Sequence, residues 1–137
     1  MTKERRLVLV VDDRASNRML AVAFMTKLGW ETAQAEGGEQ ALAWLDTHPD
    51  VDLLLLDISM PDLCGEDVCL QLRADPRFAT LPIVAYTAHV FPSDVDRFLA
   101  NGFSAVLLKP VTFQMVASVV QTLFPGDQIA SSGAAGQ

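Results

Sequence analysis

Five polar residues stand where short apolar runs end in the sequence: Asp12, Asp13, Asp57, Thr87 and Lys109. Carboxylates that converge on one site repel each other, so one of them is protonated unless a cation lies between them. Mg²⁺ suits that role because it prefers oxygen ligands and keeps water or a substrate phosphate in its shell. A carboxylate in such a site is also a nucleophile able to form an aspartyl-phosphate. We identify Asp57 as the nucleophile, because the four leucines before it predict a central buried strand.

The apolar runs predict the elements that position these residues. Continuous aliphatic runs are typical of strands buried on both faces, and here they alternate with segments of helical periodicity. Strands are predicted at 7–11, 30–35, 53–56, 83–86 and 105–108, and helices at 14–28, around 41–45, and at 66–74, 93–100 and 112–124. The predicted boundaries are Gly29 as a helix stop, a turn at Gly37 and Gly38, Ser93 or Asp94 as one N-cap, and Thr112 as another.

Strands that alternate with helices form βαβ units with right-handed crossovers, and hence a parallel sheet. We predict an α/β fold with a doubly wound five-stranded sheet in the order 2-1-3-4-5, covered by helices on both faces in three α/β/α layers. Ligands of such sheets bind beyond the carboxyl ends of the strands. The five polar residues stand at those ends, so the fold and the chemistry indicate the same site.

Composition restricts the classes of function. The chain has 137 residues, a net charge of −7 and two cysteines, which favours one globular domain without a disulfide scaffold. The negative charge argues against binding to nucleic acid or an anionic membrane surface. No signal peptide or apolar run of membrane-spanning length is present in the sequence, so we expect a cytoplasmic protein. We assign 1–6 to an N-terminal extension, 7–124 to the domain and 125–137 to a flexible tail or linker.

Four motifs carry a resemblance to a known family. They are Val10-Val11-Asp12-Asp13, Leu55-Leu56-Asp57-Ile58-Ser59-Met60-Pro61-Asp62-Leu63-Cys64-Gly65, Tyr86-Thr87-Ala88 and Leu107-Leu108-Lys109-Pro110. In this order and spacing, the sequence resembles the receiver domain of two-component response regulators, including chemotaxis-type regulators and the receivers of hybrid kinases. The resemblance covers residues 7–124 and implies a flavodoxin-like fold.

The resemblance also implies a role for each matching residue. Asp57 would accept a phosphoryl group from a phosphohistidine on a histidine kinase or a histidine phosphotransfer protein. Asp13 and Asp57 would bind Mg²⁺ directly, Asp12 would help through water, and the backbone carbonyl of Ser59 would complete the protein ligands. Two further residues, Thr87 and Lys109, would bind phosphoryl oxygens, and the small Ala88 would leave room for the phosphate. Such a protein is a phosphoacceptor that assists its own modification and slow hydrolysis, and not an enzyme.

Three positions are expected to modulate the switch. The family usually has Tyr or Phe where this chain has Val106, and that aromatic ring normally swings inward on phosphorylation. Valine cannot do this, so we expect activation to work through the loop and the fourth helix around His89 and Phe91. Ser59 and His89 occupy positions that flank the path of the hydrolytic water in the family, and we expect His89 to set the lifetime of the phosphoryl group. The downstream partner would bind the face formed by the fourth helix, fifth strand and fifth helix.

Other functions are compatible with this topology to different degrees. A flavin-binding protein needs a loop rich in Ser, Thr and Gly after the first strand, where this chain has two acids. A P-loop nucleotide-binding protein needs a Gly-x-x-x-x-Gly-Lys motif, which the sequence lacks, and a haloacid-dehalogenase-type phosphatase needs an acid where Ser59 stands. The alternative that remains is a receiver-like interaction module that works without phosphorylation, for which Val106 is the one indication.

Overall fold

The computed structural model describes residues 5–88 and 91–125, which form alternating strands and helices. The strands are β1 (Leu7–Val11), β2 (Glu31–Ala35), β3 (Leu53–Asp57), β4 (Ile83–Thr87) and β5 (Ala105–Leu108). The helices are α1 (Ala15–Lys27), α2 (Gly38–Asp46), α3 (Gly65–Arg73), α4 (Pro92–Ala100) and α5 (Phe113–Leu123). A single 3-10 turn, Pro76–Phe78, lies between α3 and β4.

The strands form one parallel sheet in the order β2-β1-β3-β4-β5. This is the predicted order and it confirms the predicted fold class. Because β3 is central, its apolar residues are buried on both faces of the sheet. The parallel register places the carboxyl ends of β1, β3, β4 and β5 along one edge, and the predicted site residues lie at that edge.

Alternate residues of each strand belong to two separate cores, as the two-residue period of a strand requires. In β1, Leu9 and Val11 pack on the face covered by α2, α3 and α4. Val8 and Val10 pack on the opposite face, which α1 and α5 cover. The sheet is therefore held from both sides, which explains why β1, β3 and β4 are mostly apolar and buried, whereas the edge strand β2 carries the exposed polar residues Glu31 and Gln34.

Helix boundaries confirm some predictions and correct others. Gly29 ends α1 with φ of +92°, a conformation that glycine adopts without steric cost. Thr112 caps α5, since its hydroxyl oxygen accepts a hydrogen bond from the backbone N–H of Met115 at 3.1 Å. The prediction that Gly38 belongs to a turn was wrong, because it is the first residue of α2.

The predicted cap of α4 was also wrong. The helix begins at Pro92, so neither Ser93 nor Asp94 is its N-cap, and Phe91 holds that position. Proline at the first helical position is favourable because its fixed φ suits the helix and it has no N–H to leave unpaired. Asp94 instead sits in the first turn, where its carboxylate accepts a hydrogen bond from the backbone N–H of Phe91 at 2.9 Å.

Gly65 allows the loop after β3 to fold back on the strand end. Its N–H donates to the carbonyl oxygen of Ile58 at 2.9 Å. A Cβ at this position would lie 2.5 Å from the backbone oxygen of Asp57 and 2.9 Å from the Cα of Ile58. Both atoms belong to the backbone, so they cannot move aside without displacing the strand end.

We therefore expect Gly65→Ala to lower the free energy of unfolding by about 2 kcal/mol, within the range of about 1–3 kcal/mol typical of overpacking. Urea unfolding measures the loss, and backbone NMR shifts at 57–59 report the displacement. Gly29→Ala is the control, because nothing lies within 4 Å of its added Cβ and only the strain of positive φ remains. A Gly65→Ala protein as stable as the wild type, with unchanged shifts, would contradict the prediction.

Candidate functional site

The ends of β1 and β3 bring three carboxylates together, as the sequence predicts. Asp12, Asp13 and Asp57 each present an oxygen atom, and these oxygens all lie within 4.8 Å of one another. Asp12 and Asp57 are buried, whereas Asp13 is exposed. Thr87, at the end of β4, is buried as well. The cluster has the composition of a hard-cation site, because it offers only oxygen ligands.

Lys109 is the cation that faces these acids. Its Nζ lies 3.0 Å from Asp12 Oδ2 and 3.3 Å from Asp57 Oδ1. It also lies 4.8 Å from the centre of the Tyr86 ring, a distance at which the face of an aromatic ring attracts a cation. The residue follows β5 and its peptide bond to Pro110 is cis. The ammonium thus contacts two of the three clustered carboxylates, which leaves an excess of negative charge in the cluster when all of them are ionised.

The carboxylate oxygens of Asp12 and Asp57 have different contacts with the rest of the chain. Oδ1 of Asp12 accepts the backbone N–H of Arg14 at 2.9 Å, but its buried Oδ2 accepts no well-aligned hydrogen bond from the described residues, although the Lys109 ammonium is close. For Asp57, the Ser59 N–H at 3.3 Å and the Lys109 ammonium both approach Oδ1. The Oδ2 atom of Asp57 therefore has no hydrogen-bond partner within the described ranges.

The environment makes Asp57 hard to ionise when no metal is bound. Burial raises the pKa of its carboxyl group to about 6, partly offset by the nearby Lys109 charge. The carboxylate of Asp12 raises the pKa further, and the hydrogen bond from the Ser59 N–H lowers it. Burial also raises the pKa of Tyr86, whose hydroxyl donates to the backbone oxygen of Val11 at 3.4 Å.

These observations fit a divalent cation bound among the acids. The buried Asp12 Oδ2 without an aligned donor, the raised pKa of Asp57 and the surplus of carboxylates over ammonium groups all indicate a charge that a cation would balance. Mg²⁺ commonly binds through one or two carboxylates and completes its shell with water and phosphate. The donor set therefore suits the predicted ion.

An open cavity of about 570 Å³ lies over the carboxyl ends of the strands. The residues that line it are Asp13, Arg14, Asn17, Asp57, Ser59, Ala88, Lys109 and Pro110. The sequence analysis singled out five of these residues, Asp13, Asp57, Ser59, Ala88 and Lys109, as candidates for the site, but it missed Arg14 and Asn17. The signal was available, because the first turn of a helix that follows β1 must begin at the same edge of the sheet.

The remaining predicted positions fall in different surroundings. Ser59 and Ala88 line the cavity, whereas Val106 is partly buried in β5 and packs against the core on the α2–α4 side. His89 lies outside the described residues, as do 1–4 and 126–137 of the predicted extension and tail. In the part of the chain that is described, no helix combines the length and apolar content needed to cross a membrane.

Comparisons with known proteins agree with the geometry. The family model of the response regulator receiver domain matches residues 8–121. Chemotaxis protein CheY1 of Helicobacter pylori is 32% identical over 117 residues, which cover 85% of this chain and 94% of that protein. The signal transduction histidine-protein kinase BarA of Escherichia coli is 30% identical over 134 residues, 96% of this chain but 14% of the kinase.

Solved structures show the same fold. A response regulator receiver protein from Pseudomonas putida superposes with a TM-score of 0.80 at 29% identity, and the match covers 88% of this chain and 99% of that one. The matched family region includes all three acids, Thr87 and Lys109. The chain belongs to the family of response regulator receiver domains.

Proposed function

We propose that this receiver domain is a Mg²⁺-dependent phosphoacceptor in which Asp57 takes a phosphoryl group from a phosphohistidine. The observation that carries the proposal is the Asp57 carboxylate at the base of an open cavity, flanked by two further acids and by Lys109. The donor would be a histidine kinase or a histidine phosphotransfer protein. Similarity to both a chemotaxis regulator and a histidine kinase supports a place in two-component signalling.

Each residue of the site has a task in this proposal. Asp12, Asp13, Asp57 and the backbone carbonyl of Ser59 would hold Mg²⁺, which when bound neutralises charge on the transferred phosphoryl group. The Oδ2 atom of Asp57 is the nucleophile, because the contacts of the chain fall on Oδ1. The Lys109 ammonium, now bound to two carboxylates, is close enough to bind a phosphoryl oxygen.

Further residues at or near the cavity would position the phosphoryl group and limit its lifetime. Thr87 is the last residue of β4, and its carbonyl oxygen accepts a hydrogen bond from the backbone N–H of Lys109 at 2.8 Å. The hydroxyl group of Thr87 would bind a phosphoryl oxygen. Ala88 keeps the cavity open because its side chain is a single methyl group. Ser59 at the rim and His89 are proposed to control access of the hydrolytic water, and thereby the lifetime of the modification.

Intact-protein mass spectrometry tests the proposal directly. Incubation with acetyl phosphate and Mg²⁺ should add the mass of one phosphoryl group, and a chelator should prevent the addition. A chain that stays unmodified under these conditions, and also with phosphoramidate, would instead be an interaction module that works without phosphorylation.

We further propose that the signal leaves the site through α4. Arg97 joins α4 to α3, since its Nε donates to Glu66 Oε2 at 2.9 Å. Within α4, its Nη1 donates to Asp94 Oδ1 at 3.0 Å. Asp94 in turn holds the backbone N–H of Phe91, whose ring is 71% exposed. The start of α4 therefore rests on a few surface ion pairs, each worth at most about 1 kcal/mol. Phosphorylation next to this segment can shift such an arrangement at low cost.

Val106 supports the same route, because a partly buried valine in β5 has no ring to move inward. We expect phosphorylation to change NMR shifts across 91–100 more than at Val106, with the α4–β5–α5 face as the surface that binds a downstream protein. Leu99 and Leu108 are exposed apolar residues on that face. A large displacement of Val106 with α4 unmoved, seen on comparing unmodified and phosphorylated protein, would contradict the route through α4.

A further inference from the structure

The cavity over Asp57 extends well beyond the acids. Its volume is about 570 Å³, whereas one water in the liquid takes about 30 Å³. There is space for a phosphoryl group and also for the group to which it is attached in the donor. The part of the wall contributed by α1 and its preceding residue consists of Arg14 and Asn17.

The side chain of Arg14 differs from those of most other arginines in having no partner among the residues that the structure describes. Its guanidinium makes no hydrogen bond or ion pair with any described residue, although its backbone N–H is fixed by Asp12 at 2.9 Å. The arginines at the other surfaces are engaged by backbone oxygens or carboxylates: Arg18, Arg73, Arg77 and Arg97. In a chain of net charge −7, a guanidinium that lines the same cavity as Asp57 and pairs with no described residue is available to a bound anion.

Asn17 adds a neutral donor to the same wall. It is half-buried in the first turn of α1, and its side-chain amide makes no hydrogen bond with the described residues. That turn contains no acidic side chain to oppose an anion. Asp13, the acid that lines the cavity nearby, is one of the proposed ligands of the cation, which would offset its charge.

We propose that Arg14 and Asn17 form a subsite for the leaving group of the phosphodonor, and that it favours donors whose leaving group is an anionic oxygen. Acyl phosphates belong to this class. This inference rests on the proposed phosphoacceptor function and deepens it. It predicts which small phosphodonors modify the protein most readily.

The chemistry of the two donor classes explains the preference. With acetyl phosphate, an Asp57 oxygen forms a bond to phosphorus while the bond from phosphorus to the acyl oxygen breaks, and acetate leaves with the electron pair. Arg14 and Asn17 stabilise the negative charge that develops on that oxygen. With phosphoramidate, the phosphorus–nitrogen bond breaks and the protonated nitrogen leaves as neutral ammonia. No negative charge develops for Arg14 to stabilise, so its contribution to the transition state is smaller.

Autophosphorylation rates with the two donors test the subsite. With Mg²⁺ present, we expect Arg14→Gln to lower the acetyl phosphate rate constant about fivefold, the size of effect expected for one accessible charge pair. The phosphoramidate rate constant should change less than about twofold, because it does not depend on this charge. Asn17→Ala should lower the acetyl phosphate rate without any change of charge. Lys27→Gln removes the same charge at the far end of α1 and should leave the ratio of the two rates unaltered.

A binding measurement separates recognition from reaction. Acetylphosphonate has a phosphorus–carbon bond in place of the labile bond, so it binds without transfer. With Mg²⁺ present, it should shift the side-chain amide signals of Asn17 in the wild type, and more weakly in Arg14→Gln.

The subsite proposal would be overturned if Arg14→Gln left the ratio of the acetyl phosphate and phosphoramidate rate constants unchanged, which includes an equal loss of both. Asn17 signals that do not respond to acetylphosphonate would overturn it as well. Failure of both donors to modify the wild type would refute the phosphoacceptor function itself, so the two proposals fail in different ways.

Discussion

Asp57→Asn is expected to abolish phosphoryl acceptance and, in metal-free solution near neutral pH, to make the fold more stable. The first effect follows because asparagine has no carboxylate oxygen to form the acyl phosphate. The second follows from the setting of the wild-type residue, which is buried next to Asp12 and has a pKa raised to about 6. Folding must keep that carboxylate charged in a place that disfavours charge, and the amide removes this cost.

The pH dependence gives the sign of the stability effect. Below about pH 4 the carboxyl group is protonated in both the folded and the unfolded chain, so it imposes no penalty. As the pH rises, the unfolded chain ionises near the ordinary value of 3.8, while the folded chain resists until about 6. The stability of the wild type relative to the variant is therefore lost as the pH rises through this interval. A shift of about two pH units corresponds to a free energy on the order of 3 kcal/mol.

Thermal unfolding at several pH values, with and without Mg²⁺, measures this effect. The variant should be more stable than the wild type above about pH 6 in chelator, and the gap should close toward about pH 4. If Mg²⁺ binds as proposed, it should narrow this difference in stability, because it would stabilise the folded wild type and the variant would lack one of the proposed ligands. Asp96→Asn, which changes an exposed acid of α4, should change neither the phosphoryl acceptance nor the pH dependence of stability. A phosphorylated Asp57→Asn protein would show that another residue is the acceptor.

The central strands were predictable because their residues satisfy one strong requirement, which the polar edge strand β2 does not share. A run such as the four leucines before Asp57 has no polar side chain for solvent to contact, so it must lie in a sheet covered on both faces. The boundary of α4 was not predictable from the same kind of reasoning. Asp94 has the chemistry of a cap, but Pro92 is already suited to the first helical position, and the carboxylate reaches back to Phe91 from inside the helix.

The site was predictable where position along the sheet determined it. Asp12, Asp57 and Lys109 were expected together because parallel strands end at one edge. The sequence does not indicate which carboxylates the Lys109 ammonium contacts, because the reach of a lysine side chain depends on the path of the chain after β5. The sequence likewise gives no reason to separate Arg14 from Arg18. In the structure, the Arg18 side chain donates to the backbone oxygen of Asp12, whereas the Arg14 side chain lines the cavity and contacts no partner within residues 5–88 and 91–125.

Lys109→Met is expected to destabilise the metal-free protein by about 3 kcal/mol at neutral pH. The ammonium is the cation that contacts both Asp12 Oδ2, at 3.0 Å, and Asp57 Oδ1, at 3.3 Å. Removing one partner of a buried ion pair leaves an uncompensated charge, which costs about 3–5 kcal/mol. Methionine keeps much of the length of the side chain, so the loss reports the charge more than the packing. Urea unfolding in chelator measures it, and Lys27→Met, at an exposed position over the Phe113 ring, is the control.

Mg²⁺ and Asp57→Asn should each reduce the cost of losing Lys109, because each removes part of the unbalanced charge. In the Asp57→Asn background one carboxylate fewer faces the missing ammonium, so the two substitutions should be strongly non-additive. With Mg²⁺ bound, the divalent charge takes over the pairing of the acids, and Lys109→Met should regain stability while still transferring phosphate slowly. That separation would assign the lysine two tasks: balancing the acids before the ion binds and binding the phosphoryl group afterwards. A loss of stability that neither Mg²⁺ nor Asp57→Asn reduces would mean that packing, and not charge, sets the contribution of Lys109.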